Sequence, residues 1–275
     1  MYFYITKMSG EQELFNPEKL KRSLRKAKAP EGIIDEILQE VEKNPALRST
    51  KDIYTFAYNY LKQTQPAVGA RYSLKKALLE FGPAGFPFEQ YVAHLFRKQG
   101  YEVETNQVIT GHCVDHEIDL ICANKHKKYM VECKFHGRQE LKSEVKVSLY
   151  VKARFDDVKE AWEKKQAPQF HQAWIVTNTK FTTEAIKFAI CRNIELLGWD
   201  YPVGNALPDL VTKYGLHPIT ALTSLSGSQK KMFIERNITL CQEVAQHKHM
   251  FKEFGFSQQE IDDIVKESNE VCEII

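Results

Sequence analysis

Glu117-Ile118-Asp119-Leu120 and Val131-Glu132-Cys133-Lys134-Phe135 are the two passages on which the architecture of this chain turns. Side chains alternate along a strand, so Glu132, Lys134 and His136 share one face, and Val131, Cys133 and Phe135 share the other. The second set is apolar and belongs in a core. The first sets a carboxylate beside an ammonium at a sheet surface. An Asp on the neighbouring strand brings a second carboxylate within coordination distance. Two carboxylates plus waters and a phosphate oxygen suit Mg²⁺, which prefers few protein ligands and octahedral oxygen. Asp119 and Glu132 are the candidate metal ligands, with Mn²⁺ as the alternative ion. Lys134 is placed to orient or activate a water and to offset negative charge developing on a phosphate. The competing reading is a solvated strand face, with Asp119 as a turn or edge charge.

Working outward, 87–99 has the apolar spacing of an amphipathic helix (Phe88, Val92, Leu95, Phe96) stopped by Gly100. Strand-like segments follow at 102–109, 117–123 and 128–135. A long helix is expected over about 143–165, with Val147, Val151, Val158 and Trp162 on one stripe. A fourth strand is expected at 173–177, a helix at 182–192 and a fifth strand at 195–197. This order predicts an α/β (α+β) domain over 83–200, a mixed sheet flanked by helices.

That element order and the Asp…Glu-x-Lys pattern resemble the PD-(D/E)xK nuclease superfamily, most closely its Mrr-like restriction endonuclease branch, from Phe86 to about Asp200. Val131-Glu132-Cys133-Lys134 reproduces the branch's common strand, and Ile175-Val176-Thr177-Asn178 with Phe181-Thr182 and Ala185 resembles the strand and helix after it. The resemblance implies a Mg²⁺- or Mn²⁺-dependent endonuclease acting on double-stranded DNA. Its catalytic positions fall on Glu89 of the opening helix, Asp119, Glu132 and Lys134. Duplex cleavage by a single-site nuclease usually requires two active sites, so a homo-oligomer, dimer or higher, is expected. A nuclease fold that is catalytically silent and serves a nucleotide-responsive DNA-binding or assembly protein is the alternative.

Residues 1–82 differ in character. A short alternating strand (2–7) turns at Met8-Ser9-Gly10 into a second extended piece ending near Phe15. Asn16 is an N-cap with Pro17 at the first helical position. Helices are expected at about 17–28, 31–43, 50–64 and 67–81. No Gly-rich loop of the G-x-x-x-x-G-K-[ST] or G-x-G-x-x-G kind is present. The segment resembles instead an ATP-cone, through Ile5-Thr6-Lys7, Gly10, Glu13, Phe15-Asn16, Lys19-Leu20, Ser49-Thr50-Lys51-Asp52-Ile53-Tyr54 and Ala70-Arg71-Tyr72. Met8 stands where that family often has Arg. The resemblance implies ATP or dATP as a regulatory ligand, with Lys7 and Lys19 near the triphosphate and Glu13 and Asn16 near the base or ribose. A helical domain with surface lysines is the competing reading.

The third segment, 201–275, is expected to be helical. Residues 218–238 look like a helix-hairpin-helix in which turn amides contact a DNA phosphate, with Lys230, Lys231 and Arg236 supplying positive charge. A helical packing subdomain is the plain alternative, and the acidic tail (Glu260, Asp262, Asp263, Glu267, Glu270, Glu273) is expected to be a solvated face.

Composition bounds these readings. The 275 residues are 43% hydrophobic and 27% charged, enough for a real core and too balanced for disorder. Six cysteines without a CxxC pair read as reduced thiols. No membrane-length apolar run and no secretory leader are visible, so a cytoplasmic protein is expected. His112-Cys113-Val114-Asp115-His116 has zinc-ligand types, but no second Cys/His pair completes a tetrahedron, so a polar hairpin tip is expected. The net charge of +2 conceals +4 over 1–82, +1 over 83–200, +3 over 201–252 and −6 over 253–275. Near-neutrality therefore excludes a blanket basic coat for nucleic acid without excluding an enzyme that cuts it.

Overall fold

A computed structural model of the chain describes residues 3–7, 9–165 and 170–273. Tyr2, at the start of the expected first strand, and Met8, in the expected turn, lie outside the described residues.

The N-terminal hairpin pairs β1 (Tyr4–Thr6) with β2 (Gln12–Leu14), antiparallel. Asn16 then caps α1 (Pro17–Lys26) by accepting from the Glu18 amide at 3.0 Å. Helices α2 (Glu31–Lys43) and α3 (Thr50–Thr64) follow, the latter capped by Ser49. The helix expected over 67–81 divides at Ser73 into α4 (Pro66–Tyr72) and α5 (Leu74–Leu79). Leu20, Leu24, Ile34, Ile37, Val41, Ala57 and Leu61 close the core between these helices, each at the three- or four-residue spacing that made the helices legible.

The central sheet has five strands, in the spatial order β3 (Glu102–Thr110), β4 (Asp115–Ala123), β5 (Lys128–Lys134), β7 (Gln172–Thr177) and β9 (Ile194–Leu197). It is entered from α6 (Phe86–Lys98) and begins with β3, β4 and β5, all antiparallel. A two-residue strand β6 (Lys142–Ser143) and the long α7 (Val145–Lys165) lead to β7. The short β8 (Lys180–Phe181) pairs with β6, and α8 (Thr183–Cys191) precedes β9. Strands β5, β7 and β9 are parallel. The result is the expected mixed sheet flanked by helices. One apolar cluster joins Phe88, Val92 and Leu95 of α6 to Leu120, Val131 and Cys133, and a second joins Ile118, Ile121, Met130 and Ile175 to Val151 and Val158 of α7.

The hairpin tip between β3 and β4 is held by α7. Asp157 accepts from the Cys113 amide at 2.8 Å and meets His116 Nε2 at 2.7 Å. Burial works against its charge, yet these hydrogen bonds hold its pKa well below the usual carboxylate range. A Cβ added to Gly111 would lie 2.0 Å from Asp157 Oδ2, so only glycine permits this approach. His112 meets Lys164 and Glu160 of α7 and His116 meets Asp157, so the His112–His116 run forms a polar hairpin tip tied to that helix.

The C-terminal region comprises α9 (Leu207–Tyr214), a 3₁₀ turn (Ile219–Ala221), α10 (Gly227–Glu235), a second 3₁₀ segment (Cys241–His247), α11 (Lys248–Glu253) and α12 (Gln258–Cys272). It packs on the α6 side of the sheet, and Leu210, Leu222, Phe233 and Ile264 share a cluster with α5 and α6. Two helices with a tight turn were expected over 218–238. The first is only the three-residue 3₁₀ turn, because Pro218 precedes it in extended conformation and Leu222 leaves it extended. The amides after it are taken: Thr223 and Ser224 donate to Glu267 at 2.6 and 2.9 Å, and Ser226 donates to Gln229 at 2.7 Å. Glu267 is accordingly 6% exposed, a buried acceptor and no part of a solvated face. No helix among the described residues is long and apolar enough to cross a membrane.

Tyr91 ties α6 to this region, its hydroxyl donating to the Leu216 carbonyl at 2.8 Å from a fully buried position. Tyr91→Phe strands that carbonyl. The expected loss is about 1–3 kcal/mol of unfolding free energy, read from urea titrations; an unchanged midpoint would mean the bond contributes nothing.

Candidate active site

At Asp119, β4 skips one pair with β3 and leaves β5 altogether. Pairing with β3 runs from Glu102–Ala123 to Thr105–Leu120 and resumes at Gln107–Ile118, omitting Asn106 and Asp119. Asn106 there adopts φ +52°, a left-handed conformation that asparagine tolerates better than most residues. Pairing with β5 ends at Leu120–Val131. One step further, the Cys133 amide donates at 2.7 Å to Asp119 Oδ2 rather than to a backbone carbonyl. The side chain thus replaces the ladder, and the strands splay. The break also divides the apolar residues of β4, since Ile118 joins the α7 cluster while Leu120 and Cys122 join the α6 cluster.

Continuing the β4–β5 register past Leu120–Val131 sets Asp119 against Glu132 and Glu117 against Lys134. Val131 and Cys133 point into the α6 cluster, as alternation predicts, leaving Glu132 and Lys134 on the other side. Glu132 Oε2 pairs with Arg154 Nη1 of α7 at 2.5 Å, and Arg154 is 7% exposed. Lys134 makes no ion pair among the described residues. Its carbonyl accepts from the Thr177 hydroxyl at 2.7 Å, fixing the end of β5 on β7.

Glu89, in the first turn of α6, folds back so that its Oε1 lies 3.3 Å from where a Gly85 Cβ would be. Burial, and then the charges of Asp119, Glu132 and Glu117, push its pKa up to about 7. Burial raises Asp119 against the pull of the Cys133 amide and Arg154. Glu132 is raised by burial and by Asp119, with Arg154 opposing. Glu89, Asp119, Glu132 and Lys134 are thus near enough for their charges to act on one another.

The oxygen-only donor set suits a hard dication. Asp119 Oδ1 and Glu132 Oε1 accept no hydrogen bond among the described residues, so each carboxylate has an oxygen to offer. Arg154 and Lys134 oppose the charges of Asp119 and Glu132, while Glu89 and Glu117 add further carboxylates that a divalent cation would offset. On that chemistry the residues fit Mg²⁺ or Mn²⁺.

Arg154 is the residue that sequence reasoning missed. Its signal was present: with Val147, Val151 and Val158 it falls on the buried stripe of α7, where an unpaired arginine would be costly. Equally unforeseen was the buried polar network behind the site, in which His136 Nε2 meets Ser143 Oγ at 3.0 Å and the His136 amide donates to Asn178 at 2.8 Å. His136, expected on the same strand face as Lys134, is thereby engaged on its backbone and its ring.

The other expected residues lie elsewhere. Lys7 and Lys19 converge on Glu13, at 3.2 and 3.0 Å, beside a cavity of about 170 Å³ lined by Glu13, Asn16, Lys19, Thr50, Tyr54 and Tyr72. Lys230 turns to Glu80 at 3.6 Å, Lys231 to Glu235 at 3.9 Å, and Arg236 stacks over Phe254 at 4.5 Å.

A carboxylate whose pKa is raised on folding binds protons more tightly when folded. Its stabilising contribution is present below the ordinary value of 4.5 and is lost as pH climbs through about 7. Glu89→Gln, in metal-free buffer, should match the wild type at acid pH and become progressively more stable than it towards ~pH 8. A gap that does not change with pH, followed by denaturant midpoints, would remove Glu89 from the carboxylate cluster.

Comparison with known proteins agrees with this geometry. Residues 84–200 match the restriction endonuclease family of Mrr catalytic domains, and residues 217–272 match the family described as AF1548-like, C-terminal. An uncharacterized protein of Archaeoglobus fulgidus is 33% identical over 181 residues, covering 66% of this chain and 99% of that protein. The crystal structure of AF1548, a protein of unknown function, superimposes with a TM-score of 0.56 at 32% identity, covering 69% of this chain and 98% of the other. With Asp119, Glu132 and Lys134 gathered in the segment that matches the restriction endonucleases, the chain belongs to the AF1548-like family and carries a restriction-endonuclease-type domain.

Proposed function

We propose that the protein is a metal-dependent endodeoxyribonuclease that hydrolyses phosphodiester bonds in double-stranded DNA, of a restriction or DNA-processing type. The observation that carries this reading is the end of the β4–β5 ladder, where Asp119 takes the amide of Cys133, the residue between Glu132 and Lys134. Asp119 and Glu132 would hold Mg²⁺ or Mn²⁺, which when bound supplies a Lewis acid for the scissile phosphate and lowers the pKa of a water. Lys134 orients the attacking water and offsets the charge that develops on the phosphoryl oxygens. Arg154 opposes the upward pull of burial on Glu132 and fixes its carboxylate, and Glu89, raised to about 7, can hold or release a proton near neutral pH. A homo-oligomer that pairs two such sites would cut both strands.

With Mg²⁺ or Mn²⁺ the protein should nick or linearise plasmid DNA. Asp119→Ala, Glu132→Ala and Lys134→Ala should each lower the rate by about 10²–10⁴. If every DNA form survives and Asp119→Ala changes nothing, the nuclease reading fails. One observation favours a silent fold that only binds DNA: Arg154 already neutralises Glu132 without a metal. In that case DNA affinity would be the same with and without divalent cations.

We further propose that ATP or dATP binds the N-terminal segment as a regulatory ligand. The support is Glu13, Asn16 and Lys19 lining the small cavity, with Lys7 paired to Glu13 beside it. The base would enter the cavity and the triphosphate would lie over the two lysines, displacing Glu13 from them. Calorimetry with ATP, dATP and ADP should register heat that Lys7→Ala and Lys19→Ala diminish together; no heat with any nucleotide removes the role.

A further inference from the structure

A second cavity, of about 890 Å³, opens where the end of α1, the α4–α5 junction, Trp199 and α9 meet. Its charged lining is six cations, Arg25, Lys26, Lys28, Arg71, Lys75 and Lys213, against the single carboxylate of Asp209. Some of these cations have partners. Arg25 is held by Glu31 at 2.7 Å, Lys26 reaches Asp209 only at 3.5 Å, and Lys28 and Arg71 donate to backbone carbonyls of the C-terminal segment. Lys75 and Lys213 have no ion-pair partner among the described residues. The Lys75 ammonium sits 5.5 Å from the centre of the Trp199 ring.

Two buried polar atoms on this wall are also without a hydrogen-bond partner among the described residues: the Tyr54 hydroxyl and Nδ1 of His217. His217 is 2% exposed, so water does not satisfy it from outside. Native interiors rarely leave such atoms orphaned, and an orphan lining a cavity marks a place for a ligand atom. Burial and the nearby positive charge of Arg71 and Lys28 hold the His217 pKa down to about 3, so the ring is neutral and offers a neutral donor or acceptor.

We propose that this cavity is a binding site for a nucleoside polyphosphate, separate from the cavity beside Glu13 and Lys19. The excess of lysine and arginine over carboxylate selects a multiply charged anion. Trp199 and Tyr72 offer aromatic surface for a base. His217 and Tyr54 supply neutral hydrogen-bonding groups for ring nitrogens or ribose. The volume falls within the range of ligand pockets, about 300–1,000 Å³, which the smaller cavity does not reach. Neither Lys7 nor Lys19 lines the larger cavity; Tyr54 and Tyr72 form the wall shared by the two. An occupant would touch α1 and α4 of the N-terminal segment, Trp199 after the last sheet strand, and α9. Binding would therefore stabilise that junction by mass action.

The test is a fluorescence titration of the full chain with ATP, inorganic tripolyphosphate and adenosine. The chain has three tryptophans, of which Trp199 alone lines the cavity. ATP should change the emission saturably, and Trp199→Phe should abolish that change. Lys75→Glu and Lys213→Glu should each weaken ATP by about tenfold or more, while Lys19→Glu leaves the Trp199 response intact. Tripolyphosphate should compete with ATP, and adenosine should compete less well. Lys213 is exposed, so its reversal tests the charge even if Lys75→Glu does not fold. The inference is overturned if ATP leaves Trp199 unaffected, or if the Lys213 reversal leaves affinity within about twofold. It is equally overturned if Lys19→Glu abolishes binding while the Lys75 and Lys213 reversals do not, since all nucleotide would then belong to the hairpin cavity. Loss at Lys75 and Lys213 with no effect of Lys19→Glu or Lys7→Glu in calorimetry would instead retain this site and remove the hairpin one.

Discussion

The hydrogen bond from the Cys133 amide to the Asp119 carboxylate sets the geometry of the site. A backbone amide at that depth must have an acceptor. When a side chain supplies it, the neighbouring strand is free to leave the ladder. Strand β4 does so, and the gap gives Glu132 and Lys134 room at the end of β5. Placing the acceptor on an ionisable group adds a charge where the sheet would otherwise be apolar. The rest of the site is a response to that charge.

The response is incomplete within the protein alone. Arg154 comes from the opposite layer to pair with Glu132, and its burial requires such a partner. Glu89 arrives from the α6 layer; burial raises all three carboxylates, and the charge of an acidic neighbour adds to it at each. The domain's near-neutral total, +1 over 83–200, thus conceals a local concentration of carboxylates.

The C-terminal region shows how one residue redirects a local pattern. Residues 218–231 carry the composition of a hairpin between two helices. Glu267, far along the chain, captures the Thr223 and Ser224 amides that such a hairpin would present outward. Lys230 is likewise drawn to Glu80. Through Tyr91, Thr220 and Arg71, whose donors reach carbonyls of distant segments, this region closes over α6 and the end of the N-terminal helices. The cationic cavity is a product of that closure, since no single segment contains enough of its wall.

The sequence by itself determined the elements and the identities at the site. Period-two and period-3.6 patterns are local, caps such as Asn16, Ser49 and Thr182 act within three residues, and Asp119, Glu132 and Lys134 stand out as polar groups interrupting apolar strands. What lay within one element or one strand pair was readable. Only the tertiary structure decided that Arg154 faces Glu132, that Glu267 occupies the hairpin amides, that helix 67–81 bends at Ser73, and that six cations gather around Trp199. Each of these depends on which surfaces pack together. The partner of a buried charge or amide can come from anywhere in the chain, and its sequence separation carries no signal of the contact.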